Sequence, residues 1–245
     1  MPANSISLVQ TPSIDLGTAK AVLETVHASV GTGLKNVKAA CSEEGKLKAE
    51  LLDNHQFASY ELAFCEAEIS AANSFLDYAE QAEPQSVEHS LSIVFAGETF
   101  KSVIGRLRSI TVDAQLGIEN IAALESSNDA KSLLTFCNGA MLGILGSKIA
   151  LDEIVRLPSR LNEEKELVRE TFYRFANDVV APLAEEIHRQ DKDIPEEIIR
   201  PAAELGCFGT CIPERFGGLQ PDDKPDSLGM IVVTEELSRG SLGAA

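Results

Sequence analysis

Two Glu-x-x-His pairs, Glu24/His27 and Glu185/His188, have the residue types and the i, i+3 spacing with which helical bundles aim carboxylate and imidazole ligands at iron. They fall in separate regions, and the second lies in the polar run Glu185-Glu186-Ile187-His188-Arg189-Gln190-Asp191. That run reads as solvated surface, so no metal site is expected. His55 stands on an apolar stripe with no Cys or His spaced to join it as a ligand, and reads as an interior or interface histidine. Cys207 and Cys211 form Cys-x-x-x-Cys, which is neither the Cys-x-x-Cys redox spacing nor a zinc pattern, and they read as small packing residues. Gly31-Thr32-Gly33 lacks the third glycine and the preceding strand of a dinucleotide fingerprint. The Gly139/Gly143 step reads as close helix packing. Every short motif in the first half of the chain therefore defaults to structure.

The elements that must position any site are helical. Leu16, Ala19, Leu23, Val26, Val30, Leu34 and Val37 recur in steps of three and four behind Asp15, which predicts a capped amphipathic helix. A second stripe runs Leu47, Leu51, His55, Ala58, Leu62, Cys65, Ile69, Ala72 and Leu76. Beside it, Phe57, Tyr60, Phe64, Ala67, Ala71, Phe75 and Tyr78 form another, which predicts a central helix covered on both sides. A third stripe extends from Ile93 through Phe100, Leu107, Ile110, Ala114 and Ile121 to Leu124, and a fourth carries Leu133, Phe136, Ala140, Ile144, Leu151 and Val155. Four such patterns with short polar connections, and no competing strand alternation, predict an antiparallel bundle. Pro158 marks its end, dividing the chain into residues 1–157 and 158–245.

In the second part Asn162 caps a helix whose core face is Val168, Phe172, Phe175 and Val179, ending before Pro182. Asp193-Ile194-Pro195-Glu196 has capping-box spacing and opens a helix that Gly206 closes. Asp226 or Ser227 begins a last helix that stops at Gly240.

Composition bounds the function. The 245 residues include 38 acidic and 21 basic side chains, a net charge of −17, which disfavours phosphate backbones and anionic lipid surfaces. Five scattered cysteines predict reduced thiols in a cytoplasmic setting. The longest uncharged run, residues 132–147, is shorter than the roughly 20 residues that span a bilayer, so no membrane span is expected.

Residues 161–245 also carry a phrase in order: Arg174-Phe175-Ala176, Val180-Ala181-Pro182, Ile194-Pro195, Glu204-Leu205-Gly206 with Phe208-Gly209, Ile212-Pro213-Glu214 with Gly217-Gly218, and Glu235-Glu236-Leu237-Ser238-Arg239-Gly240. This phrase resembles the N-terminal helical domain of FAD-dependent acyl-CoA dehydrogenases. The preceding 155 or so residues lie outside the common family pattern. A helical extension in that place, with His55-Gln56-Phe57-Ala58-Ser59-Tyr60-Glu61-Leu62-Ala63, resembles a subgroup of the family that acts on 2-methylsuccinyl-CoA.

The resemblance implies an all-α polypeptide: a helical bundle followed by the family's first helical domain, with the central β-domain and the C-terminal helical domain absent. It implies α,β-dehydrogenation of a short branched acyl-CoA with FAD, an electron-transferring flavoprotein as electron acceptor, and a homodimer or homotetramer. The glutamate that removes the α-proton in the family would lie beyond Ala245, so no catalytic residue is assigned, and Glu235 and Glu236 read as structural. The family's acyl wall begins just after the Glu-Glu-Leu helix, which nominates Ala244 and Ala245 for substrate contact. Related glutaryl-CoA enzymes carry an arginine near this point for the distal carboxylate. Alanine here implies that a dicarboxyl thioester would be held from elsewhere. A different class remains open, a non-catalytic helical interaction module.

Overall fold

The computed structural model describes residues 14–84, 86–154 and 156–244. Val155 and Ala245, named above, lie outside them. The chain divides into two compact units, residues 1–157 and 158–245. Both are helical.

In the first unit, α1 (Leu16–Ala40) opens where the Asp15 carboxylate accepts from the Thr18 amide at 2.7 Å. A two-residue turn at Glu44-Gly45, both with positive φ, folds β1 (Ser42–Glu43) onto β2 (Lys46–Leu47). This hairpin, with Ser42 opposite Leu47, is a strand pair that the sequence reading did not anticipate. It leads to α2 (Ala49–Asp53) and then to α3 (Gln56–Ala79), followed by α4 (Val87–Ser109). Lys20 in the second turn of α1 reaches Asp77 and Glu80 at the far end of α3, and Arg106 near the end of α4 reaches Glu61 and Glu68. Helix α3 is therefore antiparallel to both neighbours, and one continuous core is formed by residues such as Leu23, Leu62, Ile69, Phe100 and Leu107. Each of these fully buried side chains contributes roughly 1.5–3 kcal/mol of apolar transfer.

The expectation that α3 is covered on both faces is corrected: Phe57 is 54% and Tyr60 57% exposed, and Phe64 is also exposed. His55 is half-buried and stands just before α3 rather than on its stripe.

The third stripe is not one helix. Its burial continues through Ile110 and Ala114 to Ile121, but the backbone leaves the helix at Ile110 and resumes in α5 (Ile118–Ser126). Asn36 of α1 donates to the Ala114 and Gln115 carbonyls at 3.0 and 3.2 Å, and Gln115 has positive φ. An apolar rhythm thus survives a broken backbone. The fourth pattern likewise splits into α6 (Asn128–Phe136) and α7 (Gly139–Leu151), because Asn138 caps α7 through the Met141 amide at 2.9 Å. A Cβ at Gly139 or Gly143 would meet nothing within 4 Å, so these are not close-packing positions. The close approach is at Gly97 of α4, where a Cβ would overlap Cys137 Sγ. Leu145 is the buried residue of α7, whereas Leu151 is 83% exposed. Among the described residues no single helix is long and apolar enough to cross a membrane; the bent pair α6 and α7 passes by length and composition together.

In the second unit, the Asn162 side chain accepts from the Lys165 amide at 2.9 Å and opens α8 (Glu163–Phe175), with three acids in its first turn. Phe172 and Phe175 pack edge to face, 6.5 Å apart, in a core completed by Val180, Ile198, Val233 and Leu237. The helix does not stop before Pro182. A π-helical turn, Ala176–Val180, carries it into α9 (Ala181–Gln190), with Pro182 at the second position. Proline lacks an N–H and its ring presses on the carbonyl four residues back, here Asp178. The wider turn shifts the ladder, so that the Ala181 N–H bonds Ala176 O, five residues back.

Helix α10 (Glu196–Glu204) begins after Pro195 with no side-chain cap, so the expected Asp193 box is not made. Gly206 and Gly217 both adopt left-handed φ, +80° and +85°. Gly218 sits against the Ile212 carbonyl where any Cβ would overlap it. The last helix, α11 (Ser227–Gly240), is capped by Asp226 through the Gly229 amide at 3.0 Å.

Candidate functional site

The far end of α11 is where the sequence phrase Glu235-Glu236-Leu237-Ser238-Arg239-Gly240 acquires a geometry. Glu235 is exposed, but Glu236 is fully buried and accepts from Arg239 Nε at 3.0 Å. The same guanidinium donates through Nη1 to Asn177 Oδ1 at 2.8 Å and through Nη2 to the Tyr173 carbonyl at 3.2 Å. Its Cζ lies 4.2 Å from the centre of the Tyr173 ring. One arginine therefore ties the last turn of α11 to the end of α8 and to the π-helical turn.

Gly240 completes the junction. A Cβ there would stand 3.1 Å from Ala176 O and 3.3 Å from Val180, so the helix end approaches the π turn closely enough to crowd a side chain. The chain then leaves the helix at Ser241, φ −162°, and makes a short 3₁₀ turn at Leu242–Ala244 in which the Ala244 amide bonds Ser241 O at 3.1 Å. Ala244 is half-buried against the core of the unit. Ala245 lies outside the described residues.

A separate feature lies at the opening of α11. A cavity of about 200 Å³ is lined by Lys165, Val168, Phe172, Leu219, Asp226 and Met230, among others. Lys165 is only 8% exposed, and its ammonium bonds Asp226 Oδ2 at 2.5 Å and Glu164 Oε1 at 3.0 Å. The Lys165 ion pair, seconded by the Gly229 amide, holds the Asp226 carboxyl below its ordinary value. Bonding to Asp226 and then Glu164 raises the Lys165 ammonium. Asp226 thus caps a helix and neutralises an inward cation at once. Sequence reasoning found the cap but not the pair; the only signal was a lysine three residues after Asn162, on the inner face of α8.

The other motifs are dispersed. His27 bonds Glu66 of α3 at 3.0 Å rather than joining Glu24, and Glu185 pairs with Arg189. No group of three or more His, Cys, Asp or Glu among the described residues could hold a metal. Cys207 packs on the core, and burial raises its thiol. Cys211 is exposed, against the expectation of a packing residue. Burial pushes Cys65 up to about 12 and Cys137 up to about 11, which keeps both as unreactive thiols.

The cavity of the second unit, at about 200 Å³, is below the roughly 300–1,000 Å³ of small-molecule sites.

Comparison with known proteins places these features in a family. The family model for the acyl-CoA dehydrogenase N-terminal domain matches residues 162–245. The chain is 28% identical over 236 residues to (2S)-methylsuccinyl-CoA dehydrogenase of Cereibacter sphaeroides, covering 93% of this chain and 42% of that protein. It is 37% identical over 81 residues to glutaryl-CoA dehydrogenase of Desulfococcus multivorans, covering 33% of this chain and 20% of that protein. To 3-(aryl)acrylate reductase of Clostridium sporogenes (strain ATCC 15579) it is 32% identical over 79 residues, 32% of this chain and 20% of that protein. The chain thus spans less than half the length of each of these relatives. The segment that carries Asn162, the π turn, the Gly217-Gly218 corner and Arg239 is an acyl-CoA dehydrogenase N-terminal domain.

Proposed function

We propose that the protein is an FAD-dependent acyl-CoA dehydrogenase acting on a short branched thioester, 2-methylsuccinyl-CoA in particular. One observation carries the choice of substrate. The match to (2S)-methylsuccinyl-CoA dehydrogenase runs over 93% of the chain and so includes the first unit, whereas the glutaryl-CoA and arylacrylate enzymes match only about a third. The helical first unit is what this chain has in common with that relative and not with the others. In this reading the unit accompanies the pocket rather than forming a flavin site of its own.

Dehydrogenation takes the α-hydrogen as a proton and the β-hydrogen as a hydride, which bound FAD accepts. The part assigned to this chain is steric: Ala244, held in the short turn after α11, starts the acyl wall, with Ala245 next in sequence. Glu236 is not offered as a base, since it is buried in an ion pair with Arg239. Electrons pass on to an electron-transferring flavoprotein, and the enzyme works in the cytoplasm as a homodimer or homotetramer.

Residues 1–245 expressed alone are expected to purify colourless, because this reading assigns most of the flavin contacts to other segments of the enzyme. Absorbance near the flavin bands and mass spectrometry of the released cofactor check this. A fragment carrying stoichiometric FAD contradicts the assignment of the cofactor to other segments.

A further inference from the structure

We propose that Arg239 is a positioning residue for the acyl wall: by clamping the π turn Ala176–Val180 against Gly240 it fixes the path of Ser241–Ala244. The inference rests on the functional reading above for the role of those four residues, but the clamp itself stands on the geometry.

A π turn is the one place in the α8–α9 run where the hydrogen-bond ladder changes register. Without a restraint the extra residue could be absorbed one position earlier or later, and every side chain beyond it would rotate. Arg239 grips the entry to that change. Its fork reaches the Tyr173 carbonyl just before the turn and the Asn177 amide oxygen inside it, while its plane covers the Tyr173 ring. The anchor for this grip is Glu236, which is fully buried and cannot swing away. An ordinary i, i+3 surface pair would stop at Glu236. This one directs its other two nitrogens to Asn177 in the turn and Tyr173 just before it, 62 and 66 residues away in sequence.

Gly240 is the next residue, and its close approach to Ala176 O and Val180 leaves little room for a side chain. The first free direction of the chain, at Ser241, is therefore set by where the π turn sits. A lysine at position 239 could still neutralise Glu236, but a single ammonium cannot fork to Asn177 and Tyr173 or stack on the ring.

The test uses the flavin-loaded enzyme that carries this chain, with Arg239→Lys and, as a milder change that keeps the arginine, Asn177→Ala. Steady-state kinetics on 2-methylsuccinyl-CoA are read beside thermal melting and amide exchange of residues 241–244. For Arg239→Lys the expected result is a KM raised about tenfold with kcat within about twofold, which is the pattern of lost binding geometry. Exchange at the Ser241 and Ala244 amides is faster, and Asn177→Ala moves both readouts the same way by less. Unchanged KM and exchange in both variants, or losses that merely follow the melting temperature, overturn the positioning role. If the unsubstituted enzyme turns over no acyl-CoA, the functional reading fails and the pocket role with it.

Discussion

Asp226→Ala is expected to destabilise the second unit by about 2–3 kcal/mol, the sum of a lost helix cap and a buried ammonium left with one exposed partner. The Asp226 carboxylate serves both the Gly229 amide and Lys165 Nζ, and the remaining acid, Glu164, has a side chain 74% exposed. Urea melts followed by far-UV circular dichroism measure the cost. The double variant Asp226→Asn with Lys165→Met should recover most of it, because asparagine caps as well as aspartate and methionine suits the apolar wall of Val168, Phe172 and Met230. A single variant within about 0.5 kcal/mol of the parent would show that the pair is solvated and inert.

The same pair predicts pH dependence at both ends. Asp226 is lowered in the folded state, so its stabilisation is present above the ordinary carboxylate value of 3.8 and is lost as pH falls through the lowered one. Lys165 is raised, so its share is present below the ordinary 10.5 and disappears as pH climbs through the raised value.

Gly218→Ala is expected to cost about 3 kcal/mol or more, and Gly217→Ala about 1 kcal/mol. The two neighbours differ in kind. At Gly218 a Cβ would overlap the backbone of Ile212, which cannot yield without breaking the Gln220–Ile212 and Leu219–Gly209 hydrogen bonds of the corner. At Gly217 the space is open and only the left-handed φ of +85° opposes a side chain. Thermal melts of the two variants separate these effects. Equal losses would mean that the corner relaxes around an added methyl.

Much of the helical content was legible because it rests on local chemistry. Asp15, Asn162 and Asp226 each stand before a run of apolar residues at helical spacing, and each makes the cap its position implies. The all-α class follows from such segments. What periodicity could not reveal is where the backbone breaks while burial continues. Ile110 and Ala114 keep the third stripe in phase, yet the helix ends at Ser109, and Asn36, far away in sequence, takes the carbonyls of the turn that follows. The glycine step at Gly139 and Gly143 looks like a packing seam, but the tight contact lies at Gly97 and Cys137, which no spacing rule links. Pro182 reads as a stop only if the helix has no other way past it, and the π turn supplies one.

The candidate site was legible in part for a similar reason. The phrase ending in Arg239-Gly240 pointed to the end of α11. Its physical content, a guanidinium shared among Glu236, Asn177 and Tyr173, depends on α8 and α11 lying side by side. The Lys165–Asp226 pair, 61 residues apart, needed the same fold to be seen.

Anaerobic mixing of the flavin-loaded enzyme with 2-methylsuccinyl-, butyryl- and octanoyl-CoA bears on the functional reading without intermediaries. The expected result is rapid bleaching of the oxidised flavin by 2-methylsuccinyl-CoA, with kcat/KM falling through butyryl-CoA to octanoyl-CoA, since specificity is a difference in transition-state binding. Octanoyl-CoA matching or exceeding 2-methylsuccinyl-CoA would contradict the substrate assignment, and a flavin that none of the three thioesters bleaches would contradict the dehydrogenase reading itself.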